Sequence, residues 1–91
     1  MFTGVKEFSD NENYRVYPNP ATSEITIEWN TIHNDDLYFQ LYDLEGRMLN
    51  EVSMKGKTKI TVSRNGLQNG IYIYRIINNQ TVTGAGKLIF E

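Results

Sequence analysis

A chain of 91 residues, 40% apolar and 12% aromatic, holds enough for the core of one small domain and excludes wholesale disorder. Nine basic against eleven acidic residues leave a net charge of −2, which argues against a nucleic-acid footprint, and no stretch nears the roughly 20 apolar residues of a membrane helix. With no cysteine, disulfides, thiolate metal sites and a Cys nucleophile are excluded, and one histidine leaves little for acid–base catalysis.

The opening segment, residues 1–13, is acidic, polar and unpatterned, and reads as a flexible linker ahead of a domain over 14–91. It has neither the basic start nor the apolar run of a signal peptide, so the chain reads as cytosolic or as a piece of a larger precursor. Strand patterns follow. Nine Ile, five Val, eight Thr and six Tyr against two Ala favour pleated surfaces, and no window shows apolar residues at helical spacing. Tyr14 to Tyr17 is an edge strand that ends at Pro18-Asn19-Pro20, since neither proline can donate to a ladder. Glu24 to Trp29 alternates, with Ile25, Ile27 and Trp29 on one face. After a polar loop at 33–36, Leu37, Phe39 and Leu41 face one way and Tyr38, Gln40 and Tyr42 the other.

Asp43-Leu44-Glu45-Gly46 is a tight turn, with Gly46 suited to a left-handed corner. Met48 to Met54 places Met48, Val52 and Met54 on one side, and Thr58 to Val62 alternates again after Lys55-Gly56-Lys57. Asn65-Gly66 and Asn69-Gly70 tolerate positive φ. Gly70 allows a tight turn into Ile71 to Ile77, which is apolar on both faces, as a central strand requires, with Tyr72 as a core anchor. Asn78-Asn79 joins this run to Thr81-Val82-Thr83, Gly84 and Gly86 offer a bulge, and Lys87 to Glu91 closes the chain. Seven short strands with turns every 8–12 residues or so predict an all-β, immunoglobulin-like sandwich of mainly antiparallel strands.

Chemistry-bearing clusters are sparse. His33 lies beside Asp35 and Asp36, but adjacent side chains on a loop diverge, and a solvated loop is the better reading than a metal site. Asp10-Asn11-Glu12-Asn13 lacks the glycine and terminal glutamate of a calcium loop. None of the four serines sits in a nucleophile elbow. No catalytic residue, cofactor or metal is expected. Trp29, Tyr38, Tyr42, Tyr72 and Tyr74 admit a sugar-stacking platform, although at strand spacing aromatics more often pack the core.

Four segments, in order, carry a resemblance. Val16-Tyr17-Pro18-Asn19-Pro20-Ala21-Thr22 is similar to a Y-P-N-P opening, and Leu41-Tyr42-Asp43-Leu44-Glu45-Gly46-Arg47 to an L-Y-D-x-x-G-R centre. Leu67-Gln68-Asn69-Gly70-Ile71-Tyr72 is similar to L-x-x-G-x-Y, and Lys87-Leu88-Ile89 to a closing K-L-hydrophobic run. In these the chain resembles the type A C-terminal sorting domains of the type IX secretion system (Por secretion). Gly84-Ala85-Gly86 is smaller than the polar residues usual in the family before the closing run.

The resemblance implies a recognition signal without catalysis, carried at the end of a larger cargo protein. Its implied partners are that cargo, the outer-membrane translocon and a cell-surface sortase, with cleavage inside the linker. The implied route runs through the periplasm to the cell surface or the medium. Signal residues by this analogy are Pro18, Asn19, Pro20, Gly46, Gly70, Tyr72, Lys87, Leu88 and Ile89. If Lys87 to Phe90 lies on a sheet edge, its unpaired backbone would pair with a receptor strand or with a second copy as a homodimer. Two other readings compete: a carbohydrate-binding or adhesive sandwich, and a structural spacer.

Overall fold

The computed structural model describes residues 14–30 and 36–91. The expectations for the linker 1–13 and for the loop residues His33 and Asp35 lie outside them. Seven strands follow in chain order: β1 Tyr14–Tyr17, β2 Glu24–Trp29, β3 Leu37–Tyr42, β4 Met48–Ser53, β5 Lys59–Ser63, β6 Gly70–Asn78 and β7 Thr81–Phe90. They form two antiparallel sheets, β1-β2-β5 and β4-β3-β6-β7. The sandwich is therefore as the alternation predicts. It differs from a constant-type immunoglobulin arrangement in one strand: the fourth pairs with the third, not with the fifth. The short turn at Asp43–Arg47 has this effect, because it folds β4 straight back onto β3.

Alternation decides which side chains fill the centre. Ile25, Ile27 and Trp29 of β2, Ile60 and Val62 of β5, and Tyr14 and Val16 of β1 line one inner face. Leu37, Phe39 and Leu41 of β3, Tyr72, Tyr74 and Ile76 of β6, and Leu88 and Phe90 of β7 line the other. All belong to one buried cluster, in which the Phe39 and Tyr74 rings stack at 5.7 Å. Of the five aromatics Trp29, Tyr72 and Tyr74 are buried and Tyr38 and Tyr42 remain on the outer face, so these five do not form the exposed row that sugar stacking requires.

Four local expectations are corrected. Met48 does not share a face with Val52 and Met54. The β3–β4 register shifts between Leu41 and Tyr42, which sends Met48 out to solvent while Met54 is buried. The last hairpin turns at Asn79-Gln80, not Asn78-Asn79, and both residues have positive φ, as a two-residue type I′ turn requires. The two closing segments are one continuous strand, with a bulge where Ile76 pairs with Gly84 and Ile77 with Val82. Thr58 stays outside β5, although its carbonyl accepts the Trp29 amide.

Candidate recognition site

The register brings the four motifs to one end of the sandwich. β3 ends at Tyr42, which pairs with Ile73 near the start of β6, and Gly70 at that start pairs with Phe90 at the end of β7. Phe90 in turn bridges in parallel to Ala21, just past Pro20. Segments far apart in sequence are thus neighbours because three strand ends coincide.

The first motif does more than stop a strand. Pro18 and Pro20 follow cis peptide bonds, and the chain bends over 18–20 so that the Asn19 side chain reaches β7. Asn19 Nδ2 donates to the Lys87 carbonyl at 2.8 Å, and Asn19 Oδ1 accepts the Ile89 amide at 3.0 Å. A side-chain amide carries the same donor and acceptor as a peptide unit, so Asn19 occupies a place in the ladder that a neighbouring strand would otherwise fill. Ala21 continues the pattern: its amide donates to the Ile89 carbonyl at 2.8 Å, and its carbonyl accepts the Glu91 amide at 2.9 Å. β7 is an edge strand, as the recognition hypothesis required, but the outward backbone between Lys87 and Glu91 is already satisfied. The expectation of an unpaired edge over Lys87 to Phe90 is therefore wrong. Its cause is a side chain whose partners lie about 70 residues away, at a separation of 68 and 70 positions.

The third and fourth motifs meet around Phe90. Gly70 has φ +153°, a conformation that L side chains rarely adopt, and it turns the chain into β6. The Tyr72 hydroxyl donates to the Gln68 carbonyl at 2.6 Å, and its ring meets Phe90 edge to face at 5.6 Å. Tyr72 is thus the anchor that the sequence suggests. Leu88 is fully buried and acts through packing, whereas Lys87 and Ile89 lie on the half-buried outer face.

The second motif is a closed turn. Asp43 Oδ1 accepts the amides of Glu45 at 2.9 Å and Arg47 at 3.0 Å, and Oδ2 pairs with Arg47 Nε at 2.8 Å. Gly46 supplies the left-handed corner with φ +91°. The Arg47 amide above all, with its guanidinium and the Glu45 amide, holds the Asp43 carboxyl below its ordinary value. A cleft of about 320 Å³ separates this turn from the third motif, with Asp43 and Arg47 on one wall and Leu67, Gln68 and Tyr72 on the other.

One residue of the site was missed in the sequence. Arg64 donates through Nε to the Leu67 carbonyl at 2.6 Å and through a terminal nitrogen to the carbonyls of Thr22 at 2.8 Å and Glu91 at 2.9 Å. It also bonds the Asn69 side chain, and its guanidinium lies 5.0 Å from the centre of the Phe90 ring. One cation thereby ties the flanks of the first, third and fourth motifs. An isolated arginine after a strand gives no sequence signal for this, because most of its acceptors are backbone carbonyls, which any residue supplies.

Among the described residues no three His, Cys, Asp or Glu side chains gather as a metal site would need. The end of the sandwich presents a surface of turns and strand ends, on an all-β sandwich of two antiparallel sheets. The chain matches the family of secretion system C-terminal sorting domains over residues 15–91, and it belongs to that family. Members are the C-terminal sorting signals of type IX secretion cargo and are not catalytic, and their role is export to the cell surface or the medium. No curated protein matches the chain.

Proposed function

We propose that the motif-bearing end of the sandwich is the surface read by the outer-membrane translocon of the type IX system. The signal then consists of Pro18, Asn19, Pro20, Gly46, Gly70, Tyr72, Lys87, Leu88 and Ile89 acting as one folded unit. The observation that carries this reading is the meeting of four separated motifs at one end. Within the unit, Lys87 and Ile89 supply contact surface, while Pro18, Asn19, Pro20, Gly46, Gly70, Tyr72 and Leu88 hold its shape. The domain of 14–91 arrives in the periplasm attached to its cargo, the translocon engages it, and a cell-surface sortase cleaves within 1–13. The chain catalyses no step of its own.

The test appends the whole chain to a periplasmic reporter in a host that carries this machinery. The reporter is expected at the cell surface or in the medium. Removing Lys87–Glu91 is a poor control, since it strips Leu88 and Phe90 from the core. Lys87→Ala with Ile89→Ala alters the outer face alone and should leave the reporter in the periplasm, with near-ultraviolet circular dichroism unchanged. A reporter held in the periplasm by the unaltered chain, or exported at the parent level by the folded double variant, overturns the proposal.

A further inference from the structure

The two outer faces of the sandwich differ in chemistry. On the β1-β2-β5 sheet the outward positions carry polar or charged side chains, and Arg15, Glu28 and Lys59 form a row of alternating charge. On the other sheet β6 sends Ile71, Ile73, Arg75 and Ile77 outward, flanked by Tyr42 of β3 and Ile89 of β7. Arg75 thus stands within an apolar stripe, and none of the ion pairs among the described residues includes it. Its guanidinium is nevertheless held in place. Nη2 donates to the Tyr42 hydroxyl at 2.7 Å, and the guanidinium carbon lies 4.7 Å from the centre of the Tyr42 ring. That hydroxyl donates to Gln40 Oε1 at 2.7 Å, and Gln40 Nε2 donates to Glu51 at 2.8 Å. Glu51 therefore meets Arg75 only through two intervening side chains. Beside Arg75 a cleft of about 330 Å³ opens between Tyr42, Ile73 and the Asp43–Gly46 turn, with the exposed Leu44 on its rim. The carboxylate on that wall, Asp43, is turned into its own loop, where Oδ1 takes two backbone amides and Oδ2 takes Arg47.

We propose that this cleft and stripe bind an extended segment of a partner protein, which sets one Asp or Glu side chain on Arg75 and apolar side chains on Ile71, Ile73 and Ile77. Covering the isoleucines strips water from Arg75 as well, and a desolvated cation without a counter-charge is strongly unfavourable. A neutral apolar partner is penalised for that reason. A carboxylate reverses the penalty, because it accepts paired bonds from a planar guanidinium whose orientation Tyr42 has already fixed. The spacing suits an extended chain: outward residues of β6 recur every second position, about 6.6 Å apart, as do alternate side chains of any extended segment. A lipid surface fits less well, since the chain is net negative and Glu51 shares the face. This inference does not depend on the export reading.

The experiment titrates the full chain with a capped heptapeptide, Leu-Ser-Leu-Ser-Asp-Ser-Leu, and with its counterpart carrying Asn for Asp, followed by nuclear magnetic resonance. The acidic peptide is expected to bind about tenfold more tightly and to shift the Arg75 Nε–H resonance, which the neutral one leaves in place. Arg75→Gln should bring the two affinities together with near-ultraviolet circular dichroism unchanged. Arg75→Lys, which keeps the charge without the fork, should retain only part of the preference, and Lys87→Ala should retain all of it. Equal affinities in the parent, a preference that survives Arg75→Gln, or one that disappears with Lys87→Ala instead each overturns the proposal. Phosphatidylglycerol vesicles that bind the chain while the acidic peptide does not would assign the face to lipid and overturn it too. If Arg75→Gln does not fold, the parent decides: an Arg75 resonance unmoved at saturating acidic peptide sinks the site.

Discussion

Arg64 illustrates how a single polar side chain can bind remote segments together. Its carbonyl acceptors belong to Thr22, Leu67 and Glu91, which share no local sequence, and its charge sits against the Phe90 ring. Hydrogen bonds from a charged donor contribute more than neutral ones, and the planar guanidinium alone can serve divergent acceptors at once. Arg64→Ala should therefore lower stability by about 2 kcal/mol, half-exposure holding the loss below the full sum of its bonds. Arg64→Lys keeps the charge but not the fork and should recover less than half of that loss. Urea unfolding of the three chains checks this, and a lysine variant as stable as the parent would show that charge alone suffices. Tyr72, Gly46 and Gly70 were legible because a strand pattern or a turn fixes what their positions demand. Arg64 and the clasp of Asn19 were not, since each acts mainly on main-chain atoms supplied by segments dozens of positions distant.

At the scale of the element, period-two alternation made most strands readable. β2, β3 and β5 each bury the alternate residues that the pattern selects. β4 was the weak case, because it is an edge strand with no fully buried position, and its bulge against β3 shifts Met48 outward. β7 looks like two pieces in sequence because Gly84 and Gly86 give no pattern, yet both are buried inside one ladder opposite Ile76 and Tyr74. Consecutive residues of β7 consequently have opposite duties. Leu88 is wholly enclosed, so Leu88→Ala should cost about 2–5 kcal/mol through lost contacts and a cavity. Ile89 lies half-covered on the outer face beside Ile71, and Ile89→Ala should cost about 1 kcal/mol or less. Denaturant midpoints of the two variants measure the contrast, and equal losses would mean that the outer face is covered in the native protein.

Across the whole molecule, polarity of design separates the two ends of the sandwich. One end gathers Pro18–Pro20, the Asp43–Arg47 turn, Gly70 and the close of β7, tied by Asn19 and Arg64. The other carries the Lys55–Lys57 turn and the Asn79-Gln80 hairpin, held by backbone bonds such as Lys57 to Met54 within the turn and Asn79 to Asp36 across the sheet end. Both ends share one core, so loss of that core removes both; a folded chain altered at one end isolates the contribution of that end. Lys55→Glu with Lys57→Glu changes four units of charge at exposed positions and should leave export of an appended reporter at the parent level. Tyr74→Ala removes a fully buried ring, should cost about 3–5 kcal/mol in a fold of modest stability, and should abolish export through unfolding. The Lys87 and Ile89 pair should abolish it without unfolding. The fraction of reporter outside the cell, read beside the near-ultraviolet spectrum of each purified chain, separates the three cases. Equal export losses from the two ends in folded chains would mean that the machinery reads the sandwich as a whole and not the end where the motifs meet.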